Sequence, residues 1–128
     1  LIVDDNVDAA EILGAYLRLE GHETKVLTDG MQVLTAALVF EPQVIVLDIG
    51  LPGLSGYDVA RQLRARPEMA QVLLIALTGY GSEEDRAQAA ASGFDLHFVK
   101  PAGPPEIQAA IERTRRQPVS VRNSVTSS

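Results

Sequence analysis

The stretch Val44-Ile45-Val46-Leu47-Asp48-Ile49-Gly50-Leu51-Pro52-Gly53 decides the fold. Four apolar residues in a row, three of them β-branched, read as a strand buried on both faces. The strand ends in a carboxylate followed by turn formers, which places Asp48 at the carboxyl end of a central strand, in a crevice facing solvent. That edge is where open α/β sheets place their chemistry. The pattern recurs: Leu1-Ile2-Val3 runs into Asp4-Asp5, Val72 to Leu77 ends in Thr78-Gly79, and Phe98-Val99 ends in Lys100-Pro101. These strand ends deliver three carboxylates, a hydroxyl and an ammonium. Crowded carboxylates suit a divalent cation. A hydroxyl and a lysine beside them suit an anion such as a phosphoryl group.

Outward from this stretch, strands and helices alternate. Residues 1–4 read as the first strand, and Asn6 caps a helix from Val7 to Leu19 with Ile12, Leu13, Tyr16 and Leu17 on its inner face. Gly21 is the stop signal, and His22 falls in a solvated turn. Thr24 to Leu27 make a second strand, and Met31 to Phe40 a second helix closed by Pro42. A third helix runs from Gly56 to Ala65, with Val59, Ala60 and Leu63 inward and Pro67 beyond its end. Val72 to Leu77 is the fourth strand. Ser82 and Asp85 form a capping-box pattern for an Ala-rich fourth helix ending at Gly93. Leu96 to Val99 is the fifth strand, and Pro104-Pro105 opens a helix with Ile107, Ala110 and Ile111 inward. Residues 1–116 thus form one domain, and the Ser-, Asn- and Thr-rich residues 117–128 read as a disordered tail or linker. Right-handed crossovers favour a parallel sheet in the order 2-1-3-4-5, a doubly wound (βα)5, flavodoxin-like three-layer sandwich.

The bulk numbers restrict function. The net charge of −6 argues against nucleic-acid or anionic-membrane binding by this domain. Absence of cysteine excludes a disulfide framework and fits a reducing, cytoplasmic setting. No apolar run approaches the roughly 20 residues of a membrane span, and the chain opens inside a strand without an initiator Met, as an excised piece would.

Asp4-Asp5, Asp48 followed by Leu51-Pro52 and Gly56, Thr78, and Lys100-Pro101 together resemble the receiver domain of two-component response regulators, over residues 1 to about 115. The resemblance implies that Asp48 is the phosphoacceptor, taking a phosphoryl group from a phosphohistidine of a histidine kinase or histidine phosphotransfer domain. It implies Mg²⁺ held by Asp4, Asp5, Asp48 and the backbone carbonyl of Gly50. Thr78 would bond one phosphoryl oxygen and Lys100 pair with another, and the Lys100–Pro101 peptide bond would be cis. Such a domain catalyses its own phosphorylation and dephosphorylation and changes its helix 4–strand 5–helix 5 surface.

Receivers couple a Ser/Thr to an aromatic residue three before the lysine. Thr78 is present, but His97 stands at the aromatic position. His97 is therefore either a titratable version of the switch or an ordinary half-exposed strand residue. Gly50 and Tyr80 occupy positions that would tune the lifetime of the phosphoform, and Gly103 weakens the cap of helix five. The runs 77–81 and 97–101 are similar to receivers fused behind a sensor histidine kinase, which suits the C-terminal receiver of a hybrid kinase. A stand-alone regulator and the first half of a transcription factor are the other parents admitted. A monomer or weak dimer is expected. The competing functions are a phosphorylation-independent interaction module and a phosphatase-like enzyme with an aspartyl nucleophile. The enzyme would want an acid at position 50, where glycine stands.

Overall fold

The computed structural model describes residues 1–51, 54–79 and 81–115. The elements are β1 (Ile2–Val3), α1 (Val7–Leu19), β2 (Val26–Leu27), α2 (Val33–Phe40), β3 (Val44–Asp48), α3 (Gly56–Arg64), β4 (Leu73–Thr78), α4 (Glu83–Ser92), β5 (Leu96–Val99) and α5 (Pro104–Arg115). All strand pairs are parallel, in the order β2-β1-β3-β4-β5. The sequence pattern favoured this order, because hydrophobic strands alternating with amphipathic helices, joined by right-handed crossovers, bury both sheet faces in a few such arrangements. The expected tail, residues 117–128, lies outside the described residues.

Two cores flank the sheet. Alternate side chains of β4 divide between them: Leu73, Ile75 and Leu77 pack with Leu13, Leu17, Ile107 and Ile111 of α1 and α5. Leu74 and Ala76 pack with Val33, Val59, Leu63 and Ala89 of α2, α3 and α4. The same period of two puts Leu96 and Phe98 of β5 on the α1–α5 side, so His97 between them faces the other layer.

Several local expectations are corrected. Ile12 is 64% exposed and does not share the inner face of α1 with Leu13 and Leu17. The second helix is split, a single 3₁₀ turn at Gly30–Gln32 preceding α2. The Asp29 carboxylate accepts from the Met31 N–H and so starts the turn early. Pro67 opens a separate 3₁₀ turn, Pro67–Met69, after α3 has already ended at Arg64. His22 is half-buried, its Nε2 lying 2.8 Å from the Gln108 Oε1 of α5, and is not simply solvated.

Arg64 ties the lower half of the second layer together. Its Nε donates to the Gly93 carbonyl at 2.9 Å, and its Nη1 to the Met69 and Val72 carbonyls, both at 2.9 Å. Its Nη2 pairs with Asp95 Oδ2 at 2.8 Å, an oxygen that also accepts the Leu74 N–H. Gly93 ends α4 at φ 110°, and a Cβ there would lie 2.6 Å from Arg64 Cγ. Backbone conformation and space both require glycine.

Candidate functional site

The register brings the carboxylates together. Val3 pairs with Leu47 across β1 and β3, so the next residues, Asp4 and Asp48, emerge side by side at the carboxyl edge. Asp4 is 3% exposed and Asp48 6%, while Asp5 is exposed. One oxygen from each of Asp4, Asp5 and Asp48 lies within 4.8 Å of the others.

Each buried carboxylate is fixed on both sides. Asp48 Oδ1 accepts the Gly50 N–H at 3.0 Å, and Asp4 Oδ1 the Asn6 N–H at 3.0 Å. Both are short Asx-type bonds to the residue two further on. The remaining oxygens share one ammonium: Lys100 Nζ is 2.9 Å from Asp48 Oδ2 and 3.3 Å from Asp4 Oδ2. Lys100 reaches this place from a loop whose Lys100–Pro101 bond is cis, while its N–H donates to the Thr78 carbonyl at 2.7 Å.

The electrostatics follow from this crowding. Burial raises the Asp4 pKa above its ordinary value, the Asn6 N–H opposes that, and the charge of Asp48 adds to it. Burial alone would lower the Lys100 pKa, but the hydrogen bond and charge of Asp48, then Asp4, outweigh it and raise the pKa. The cluster thus binds one cation already and retains acidic oxygens for another.

Thr78 is buried at the end of β4. Leu77 is the register partner of Asp48, so Thr78 stands one residue further along the neighbouring strand. A Cβ on Gly50 would meet only Asp48 Oδ1, at 3.6 Å, so that position leaves open space beside the carboxylate. Gly56 is the opposite case: a Cβ would come within 2.6 Å of Ile49 Cα, and its N–H donates to the Ile49 carbonyl. This close approach folds the loop after β3 back under Asp48.

His97 is not in the carboxylate cluster. It pairs in register with Ala76, two residues before Thr78. Both its ring nitrogens are buried and have no hydrogen-bond partner among the described residues. A buried polar group left unpaired costs about 1–3 kcal/mol. Tyr80 and Pro52 lie outside the described residues.

A β-α sheet with an aspartate trio, a threonine and a lysine at its carboxyl edge defines a receiver-type site. Residues 1–112 match the response regulator receiver domain, and the chain belongs to that family. DNA-binding response regulator MtrA of Mycobacterium tuberculosis is 39% identical over 117 residues, covering 91% of this chain and 50% of MtrA. The probable transcriptional regulator ycf27 of Cyanophora paradoxa is 34% identical over 127 residues, 99% of this chain and 52% of that protein. The chain therefore spans about half the length of these relatives. Among solved structures, a putative response regulator from Chloroflexus aurantiacus superposes with a TM-score of 0.83 at 26% identity, over 91% of this chain and 95% of that one. The chemotaxis response regulator CheY4 of Vibrio cholerae shares the fold, with a TM-score of 0.82 at 24% identity, over 88% and 93% of the two chains.

Sequence reasoning overlooked the two backbone N–H donors, from Asn6 and Gly50. The signal was available: an aspartate at a strand end followed two residues later by a turn former is an Asx-turn pattern. The Arg64 hub left no such signal, because most of its partners are backbone carbonyls and its one carboxylate partner, Asp95, is 31 residues away in the chain.

Proposed function

We propose that this chain is a phosphorylation-dependent switch of a two-component phosphorelay, with Asp48 as phosphoacceptor. The observation that carries this reading is the Asp4–Asp5–Asp48 cluster bridged by Lys100 at the carboxyl edge of the sheet. In the transfer, the bond from phosphorus to an imidazole nitrogen of the donor breaks as an Asp48 oxygen bonds to phosphorus, and the imidazole keeps the electron pair. Such a reaction needs in-line positioning and charge neutralisation more than covalent help. The Gly50 N–H and Lys100 position the two Asp48 oxygens. Lys100 remains as a counter-charge for the about −1.5 to −2 of charge that a phosphoryl group adds, and the Thr78 hydroxyl is the second donor.

Asp4, Asp5, Asp48 and the Gly50 carbonyl would hold Mg²⁺. The all-oxygen donor set, with Asp4 carrying a raised pKa, fits a hard divalent cation. When bound, the metal supplies Lewis-acid neutralisation of phosphoryl oxygens.

The phosphodonor is a histidine kinase or histidine phosphotransfer domain. A hollow of about 520 Å³ beside Lys100, lined by Ala9, Ile12, Leu13, Pro101, Ala102 and Pro104, offers it an apolar landing next to Asp48. Thr78 and His97 are the switch pair, and Gly50 and Tyr80 tune the phosphoform lifetime. MtrA and ycf27 bear names of transcriptional or DNA-binding regulators, which favours that parent over a hybrid kinase. DNA contact is then the work of a separate effector region. This domain acts as a cytoplasmic monomer or weak dimer; no helix among the described residues is long and apolar enough to cross a membrane.

Incubation with a small acyl-phosphate donor, followed by intact mass, tests the reading. One phosphoryl addition requiring both Mg²⁺ and Asp48 is expected. Addition at the wild-type rate in Asp48→Asn would overturn the acceptor assignment. No addition together with no Mg²⁺ binding would favour the phosphorylation-independent module.

A further inference from the structure

We propose that His97 makes the α4–β5 surface proton-responsive: the closed arrangement holds the imidazole neutral, and protonation favours arrangements in which α4 releases it. Its regulatory consequence rests on the reading of this surface as the output of the switch.

The geometry begins with β5. Leu96 and Phe98 are committed to the α1–α5 core, so His97 is directed to the opposite layer, beside Ala76. There both ring nitrogens are sealed from solvent without a partner among the described residues. An imidazole in that position forfeits its hydrogen bonds with water, and an imidazolium would forfeit far more. Burial accordingly lowers the His97 pKa; Arg86 of α4 acts in the same direction and Asp85 of α4 against it. β4 brings no titratable side chain between Leu73 and Thr78. From α3, Tyr57 is within electrostatic reach of Asp85. Asp85 is engaged by Ser82, whose hydroxyl donates to its carboxylate at 2.6 Å.

Asp85 and Arg86 of α4, whose charges reach His97, lie in the half of that helix with no buried side chain. The buried residues of α4 are Ala89 and Ser92, both in its last turn. Two arginines of α3 fasten that end: Arg61 donates to Ser92 Oγ at 3.1 Å and Arg64 to the Gly93 carbonyl at 2.9 Å. The side chains of residues 83–88 are exposed or half-exposed. Opening at the first turns of α4 therefore exposes little apolar surface, while it returns the His97 nitrogens to water.

The sign follows by linkage. The open form titrates near the ordinary histidine value and the closed form below it, so falling pH adds protons to the open form first. With an ordinary value of about 6.5 in the open form, the open-to-closed ratio rises between about pH 7.5 and about pH 5.5, by at most about tenfold. Proton and phosphoryl group are then two inputs to one surface.

The test is backbone hydrogen exchange of α4 in the metal-free, unphosphorylated chain at the two pH values, corrected for intrinsic exchange rates. Wild type should show greater opening at the lower pH, by up to about tenfold, and His97→Phe and His97→Gln should show no such increase. The Leu1 α-ammonium, lowered to about 6, titrates in the same window, and subtraction of the His97 variants removes its contribution. A wild-type response that persists in both variants, or no response at all, overturns the proposal. The acid response should survive in Asp48→Asn, so phosphoryl uptake that persists in that variant with acid opening intact would refute the acceptor reading and leave this one standing.

Discussion

At the scale of the residue, the site is a compromise between stability and binding. Asp4 is buried against Asp48, and its raised pKa means that the fold prefers it protonated. The penalty is absent below the ordinary value of 3.8 and complete above the raised one, so metal-free stability declines as pH rises through that window. Asp4→Asn should therefore stabilise the metal-free protein at neutral pH, by about 0.5–2 kcal/mol in urea denaturation. It should also weaken Mg²⁺ binding. Equal or lower stability would show that the Lys100 pairing outweighs the burial. Lys100 runs the other way. Its raised pKa gives stability that is complete below 10.5 and lost as pH rises through the higher folded value, so it adds no slope near neutrality. The meeting of Asp4, Asp48, Thr78 and Lys100 at one sheet edge was legible in the sequence because each of them stands at the end of a strand. The solvent exposure of Ile12 was not: a helix wheel ranks apolarity, whereas the sheet covers only the face that carries Leu13 and Leu17.

At the scale of the element, two close approaches set the loops and helices. Gly56 packs its α-carbon under Ile49. Gly56→Ala should cost about 1–3 kcal/mol by overpacking and slow phosphoryl uptake through displacement of the loop after Asp48. A folded variant with unchanged uptake would show that the loop tolerates the shift. Arg64 joins α3, the start of β4, the end of α4 and the start of β5. Arg64→Ala strands the buried Asp95 carboxylate and should cost about 3 kcal/mol, read as a lower urea midpoint. Helix and strand positions followed from periodicity and stop signals, which are local. The Arg64 hub and the His22–Gln108 contact join positions far apart in the chain, and only the folded register brings them together.

At the scale of the whole molecule, the sheet order puts β1 beside β3, and this alone converts Asp4 and Asp48 into one site. The order was readable from the βα alternation, since a right-handed parallel sheet has few ways to cover both faces. A ligand held by residues from β1 and β3 should stabilise the entire fold. Mg²⁺ at a hundred times its dissociation constant should add about 2.7 kcal/mol to the unfolding free energy, and Asp4→Asn should remove most of that gain. The central claim, that Asp48 takes the phosphoryl group as an acyl phosphate, has one most direct test. Borohydride reduces an acyl phosphate to an alcohol, turning the aspartate into homoserine. The chain is treated with an acyl-phosphate donor and Mg²⁺, then reduced and digested, and its peptides are sequenced by mass spectrometry. Homoserine at position 48 and nowhere else is the expected result. Homoserine at another aspartate, with Asp48 intact, would contradict the assignment.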